Sequence, residues 1–420
     1  MTTAAKPEAP TIANRYWRQN LWVCFAGSFS TIVAMTLLLP FLPLYVEQLG
    51  VTSPAAIVQW SGVAFGATFF SAALVAPLWG HLADRYGRKL MLVRASLGMA
   101  VAMSLIGLAD NVWHLVILRL LAGFLGGYSS ASVVLVATQT PKDRAGWALG
   151  TLSSGVMAGS LVGPLVGGLL PPLIGIRNTF FCAGAVIFVA FLATLLLIKE
   201  EKRAPKAKQA ARGGWADLPD KRPVIAMLVT GMLLLLANMS IEPIITVYVS
   251  QLVQRADQVT MVSGLVMAAA ALGSILSASR LGKLADRVGH WNVVIGGMLV
   301  SAALLIPQAF VTAGWQLIAL RFLMGLSLGG LLPCIAAVIR HNVPDGMAGK
   351  MLGYSISAQY TGQVVGPLSG GFIGGHIGMR AVFLSTSVLM FAGVAFNWWA
   401  RNNASRPASG LPNRTLNLRN

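Results

Sequence analysis

Twelve times along this chain an apolar stretch recurs that is long enough to cross ~30 Å of hydrocarbon as a helix. The stretches read as spans at roughly 21–45, 57–80, 91–109, 113–136, 148–172, 179–198, 223–250, 260–279, 291–311, 315–338, 350–373 and 381–400. The 420 residues are 56% hydrophobic and only 10% charged, with a mean hydropathy of +0.71. A soluble chain of this size carries roughly a quarter charged residues. Forty-five glycines would mean loops in a soluble protein. Between membrane helices, small residues instead allow close approach. These features predict an all-α polytopic membrane protein.

The net charge of +18 invites a nucleic-acid reading, but its placement excludes one. Three Lys or Arg fall in the loops of one side (Arg177, Arg255, Arg380), and Arg119 and Arg321 lie well inside spans. The tails, the loops on their side and the span ends adjoining those loops hold the other 26 of 31. By the positive-inside rule both termini are expected in the cytoplasm, as an even span number also requires. Residues 1–20 are polar and a full-length span follows, which reads as an uncleaved first helix. Cys24, Cys182 and Cys334 all fall within spans and are odd in number, so no disulfide framework is implied.

The chain repeats itself at an offset of 202 or 203 residues. Pro40–Leu49 matches Pro243–Leu252, Gly80–Gly87 matches Gly282–Gly289, Arg119–Gly127 matches Arg321–Gly329, and Gly163–Gly168 matches Gly366–Gly371. Each half holds six spans, so the two run in the same direction and should be related by an axis along the membrane normal, with substrate near the midplane between them. The expected organisation is a cytoplasmic segment at 1–20, a six-helix bundle at 21–198, a basic linker at 199–222, a second bundle at 223–400 and a tail at 401–420. The linker carries eight Lys and Arg and no apolar run, as a solvated tether beside lipid headgroups would.

Between spans 2 and 3 stands Gly80-x-Leu-Ala-Asp84-Arg85-x-Gly87-Arg88-Lys89, echoed by Gly282-x-Leu-Ala-Asp286-Arg287-x-Gly289. Gly80 permits helix contact, Asp84 suits the positive N-terminal end of a neighbouring helix, and the basic residues suit carboxylates or lipid phosphates. With this loop the sequence resembles the major facilitator superfamily. The resemblance runs through nearly the whole chain, most closely to its drug–proton antiporter branch, and is poorest in the tails and linker. It implies the major facilitator fold, two six-helix bundles totalling twelve transmembrane helices. It also implies that Asp84 docks at the start of span 11 to latch the cytoplasmic side, with Asp286 doing likewise at span 5.

Arg119 in span 4 and Arg321 in span 10 each cost ~3 kcal/mol to insert unless paired or hydrated. The resemblance implies a cavity-facing, proton-coupling role for Arg119, with Arg321 its counterpart; a structurally paired or snorkelling Arg is the alternative. In span 5, Gly155, Gly159, Gly163 and Gly167 repeat every four residues, with Pro164 and Gly168 beside them. Such a stripe flattens one helix face. It resembles the antiporter motif of drug–proton exporters, so the export direction rests on that resemblance. Span 1 departs from many such antiporters in having no acid before Glu47 at its outer end.

Among thirteen acids, Glu242 alone lies well inside a span, four residues after Asn238 and just before Pro243. Both a proton site and a structural pair with Arg119 or Arg321 remain open for it, as does a place in an outer vestibule. Gln359 and Gln363 in span 11, with Tyr360 between, suit either hydrogen bonding to cargo or interhelical contact. Gly325-x-Ser327-x-Gly329 mimics an esterase elbow but lies mid-helix. No Walker A sequence is present, and His81, His114, His290, His341 and His376 lack metal-ligand spacing. The expectation is therefore a monomeric secondary transporter, not an enzyme, without metal or other cofactor, in a bacterial inner membrane. It would export amphipathic drugs or toxic small molecules in exchange for protons. The alternative is a facilitator or proton-coupled carrier of a defined metabolite such as a sugar, for which the spans show few polar groups.

Overall fold

The computed structural model describes residues 15–200, 215, 218, 220–344 and 347–403, without the side chains of Asp84 and Lys142. What the sequence leads one to expect of residues 1–14, of most of the linker and of residues 404–420 lies outside the described residues. Helical segments occupy all twelve expected spans: Trp17–Gln48, Pro54–Tyr86, Arg88–Ile106, Val112–Gln139, Ala145–Ile174 and Ile176–Leu197 in the first half. Arg222–Ser250, Ala256–Val288, His290–Gln308, Gly314–His341, Ala348–His376 and Met379–Asn403 form the second. These are spans 1 to 12 below. All but span 11 are long and apolar enough to cross a bilayer by composition; span 11 is diluted by the glycines, serines and glutamines of Ala348–His376. Leu173, Leu196, Ile377 and Val388 lie exposed around the bundle, and Trp113, Trp147, Trp315 and Trp398 stand exposed near span ends. This is the apolar belt with aromatic edges that lipid demands.

The motif expected in a loop between spans 2 and 3 is instead mostly helix. Span 2 continues through Gly80, Asp84 and Arg85 to Tyr86, and span 3 begins at Arg88. The connection is Gly87 alone, at φ 99°. Gly289 at φ 92° joins spans 8 and 9 in the same way. A glycine reaches this left-handed region without the Cβ clash other residues suffer, so one residue suffices to reverse the chain. The face bearing these two turns, with the outer ends of Trp17 and Asn403, is called the basic face below.

Spans 1, 4, 7 and 10 are each broken. Leu39–Phe41 and Glu242–Ile244 are 3-10 turns at matched prolines, Pro40 and Pro243. A proline removes a backbone donor and clashes with the preceding turn, which loosens the helix there. Span 4 breaks at Gly126–Gly127 and span 10 at Gly329–Gly330.

Candidate functional site

The antiporter-like stripe packs on span 1. Side-chain carbons added at Gly155, Gly159 and Gly163 would collide with Phe25, Ile32 and Thr36, and one at Gly167 would stand 1.8 Å from the Leu37 carbonyl oxygen. Gly168 turns the other way, onto Thr260 and Met261 of span 8, while Gly264 meets the carbonyl oxygen of Pro164. Spans 2 and 11 cross as closely, with Gly62 against Pro367, and Gly371 and Gly375 against Val58, Gln59 and Ala55. Gln59 also hydrogen-bonds His376 at 3.1 Å. All these contacts between the halves lie toward the face opposite the basic one. Toward the basic face, Gly80, Gly146, Gly150, Gly282, Gly349 and Gly353 have nothing among the described residues within 4 Å of where a side chain would begin. The halves therefore meet on one face and part on the other.

A cavity of about 500 Å³ fills the parting. Its walls come from spans 1 to 4 and span 11, with Ile32, Met35, Phe69, Val75, Met91 and Met99 as apolar surface. Gln359, Tyr360 and Gln363 line it, as do Thr31, Thr68 and Tyr128. Gln359 donates to Ser355 Oγ at 3.3 Å, and Gln363 makes no protein hydrogen bond among the described residues. Large apolar walls with a few convergent polar groups are the usual makeup of a small-molecule site.

Arg94 and Trp79 also line this cavity, and the sequence reading had not singled them out. The Arg94 guanidinium stacks 3.6 Å from the Trp79 ring and donates to the Gly126 carbonyl oxygen at 2.9 Å. Trp79 donates to the Phe124 carbonyl oxygen at 2.8 Å. These donors serve carbonyls released by the break in span 4. The matched positions in the second half are Leu281 and Gly296, and that asymmetry was the available signal.

Glu242 and Asn238 do not line the cavity. Glu242 begins the 3-10 turn of span 7, partly buried at the seam where that turn packs on spans 2 and 11, and accepts a hydrogen bond from Asn238 at 2.7 Å. Arg321 is within electrostatic reach but makes no direct ion pair with it. Arg119 is fully buried; its Nε donates to the Ala64 carbonyl oxygen at 3.3 Å, and its guanidinium lies 5.7 Å from the Phe65 ring. Among the described residues two of its nitrogens, Nη1 and Nη2, have no hydrogen-bond partner, and in Arg321 Nε and Nη2 have none.

Of the gate-motif residues, Arg85 and Arg287 are exposed, and the side chain of Asp84 lies outside the described residues. Asp286 is exposed, 3.7 Å from His290. The backbone N–H groups of Arg88 and Lys89 donate to Glu200, at 2.9 Å and 2.5 Å. An anion from beyond span 6 thus caps the start of span 3, where orphan donors and the helix dipole favour it. Among the described residues no three His, Cys, Asp or Glu are grouped to hold a metal.

The Major Facilitator Superfamily model matches residues 24–306 and 258–417. Multidrug resistance protein MdtG of Serratia proteamaculans is 42% identical over 393 residues, 93% of this chain and 95% of that protein. MdtG of Salmonella arizonae is 43% identical over 91% of this chain and 95% of its own length. A bacterial homolog of the human lysosomal transporter Spinster, in an inward-facing and occupied conformation, superposes with a TM-score of 0.75 at 15% identity. That alignment covers 94% of this chain and 99% of the homolog. The human organic anion transporter MFSD10 gives 0.65 at 19% identity over 91% and 99%. With the paired bundles and central cavity, these matches establish that the chain belongs to the major facilitator superfamily.

Proposed function

We propose that this chain is a secondary active transporter that exports amphipathic drugs or toxic small molecules by proton antiport with alternating access. The observation that carries the reading is the cavity itself: mostly apolar, with Gln359, Tyr360 and Gln363 in its wall, open toward one face and closed on the other by helix crossings between the halves. The positive-inside rule assigns the basic face to the cytoplasm, so the arrangement is open inward, ready to load cytoplasmic cargo. A monomer in a bacterial inner membrane, with both termini cytoplasmic, fits this reading.

Cargo and protons would use different places. Apolar rings and chains lie against Met35, Phe69 and Met99, and the glutamines orient polar groups. Glu242 carries the proton. Its turn contacts the matched turn of span 1, so rocking the halves apart on the opposite face exposes the carboxylate there, and closing them buries it again. Inward proton movement supplies ~2.3 kcal/mol per 100 mV, enough for roughly a fiftyfold gradient of a neutral solute. The test is a survival screen of cells with and without the protein across many toxic compounds, followed by proton flux in inverted vesicles. A compound that is resisted and also drives proton release supports the reading. Sugar uptake without any drug phenotype refutes it in favour of a metabolite carrier.

A further inference from the structure

The two halves handle their buried arginines differently. Arg321 has the Glu242 carboxylate within electrostatic reach. Arg119 has none among the described residues: the position matched to Glu242 at the repeat offset of 203 is Leu39. Spans 2 and 3, which pack on Arg119's helix, carry no Asp or Glu before Asp84 near the basic face. In span 1 the first acid is Glu47, exposed on the opposite face. Yet the Arg119 side chain is wholly buried, and Nη1 and Nη2 have no hydrogen-bond partner among the described residues. A guanidinium stays protonated in proteins, so this is an uncompensated cation in a low-dielectric interior.

We propose that Arg119 holds a small inorganic anion, of the chloride class, in the first half of the molecule, filling the role that Glu242 fills for Arg321. Fork-like N–H donors and a fixed positive charge are the chemistry such an ion requires. The Thr68 hydroxyl donates to the backbone carbonyl oxygen of Arg119 at 3.1 Å, and Thr68, Ala122 and Gly123 line the cavity. The Arg119 backbone therefore lies behind the cavity wall, while its guanidinium sits beside Ala64 and Phe65, away from the cavity lining. Arg119 is wholly buried and does not line the cavity, which separates its guanidinium from an amphipathic headgroup held there. The inference goes beyond the transport reading and stands whichever way cargo moves.

The experiment measures Tm of the purified full chain in nanodiscs while chloride replaces gluconate at constant ionic strength. Wild type should show a saturable rise of a few degrees, as expected when a ligand binds only the folded state. Arg119→Gln should lose that response and Arg321→Gln should keep it. Equal Tm in chloride and gluconate overturns the proposal, as does a chloride response that survives Arg119→Gln. If Arg119→Gln does not fold, wild-type crystals soaked in bromide decide. An anomalous peak at the Arg119 guanidinium supports the site; bromide elsewhere with none at Arg119 overturns it.

Discussion

Thr246 in span 7 donates a hydrogen bond from its hydroxyl to the carbonyl oxygen of Pro40 in span 1, at 3.0 Å, across the boundary between the halves. Pro40 lies in the break of span 1, and Thr246 lies in the first turn of the helix that follows the matched break of span 7. A carbonyl released by the break in one half is thus satisfied by the other half. Thr246→Val preserves shape and removes the bond, worth about 0.5–1.5 kcal/mol. The expected result is a several-fold shift toward the arrangement open on the opposite face. Alkylation of a cysteine introduced near Ile57 or Val247, on the face that this bond holds shut, should speed up accordingly.

Two glycines should push the same equilibrium in opposite directions. A side chain at Gly62 would meet the Pro367 carbonyl oxygen at 2.3 Å, so Gly62→Leu is incompatible with the closed crossing of spans 2 and 11. Gly80 has open space around it here. If its face closes during the cycle, Gly80→Leu obstructs that closure instead. Accessibility labelling from each side should report opposite shifts for the two variants, and both should slow turnover.

Glu242→Gln keeps the shape of the side chain and cannot release a proton. Proton-driven export should be abolished, with expression and fold retained. Vesicle proton flux and a thermal melt check the two halves of that statement. Full proton-coupled export by a well-folded variant would remove Glu242 from the coupling mechanism. A purely structural role would appear as loss of fold, relieved by removing the charge of Arg321.

The Arg94–Trp79 stack supports the broken span 4. Arg94→Gln removes charge-assisted bonds to two carbonyls, each worth about 1.5–3 kcal/mol, whereas Trp79→Phe keeps the ring and loses one neutral bond worth about 0.5–1.5. Thermal melts should therefore fall for both, and further for Arg94→Gln.

Reporter fusions at residue 210 and after residue 410 should read as cytoplasmic, and one near Arg255 as external. A cytoplasmic signal at Arg255 would reverse the orientation of the basic face.

Much was legible in the sequence because the bilayer imposes one-dimensional rules. Apolar run length fixes where a helix can cross, so the expected spans 1 and 7, at 21–45 and 223–250, lie within the observed Trp17–Gln48 and Arg222–Ser250. Span 11 was expected at 350–373 as an apolar stretch, and the helix Ala348–His376 forms there although its glycines, serines and glutamines leave it less apolar than the other spans. Glycine spacing likewise marked the face of span 5 that meets span 1, because close approach demands small residues on one side of a helix. Other features depended on how separate spans come together. A pattern with period 3.6 tells which residues share a face, but not how far the opposing helix lies from that face. Only the packed halves show that Gly62 is crowded while Gly80 stands open, and hence which side of the molecule is closed. Only packing sets Gln359, Tyr360 and Gln363 into the cavity wall while leaving Asn238 and Glu242 in the seam. Arg94 meets Trp79, and Arg119 is left with no carboxylate among the described residues, because charge compensation is a matter of distance in space. Distance along the chain carries no such information.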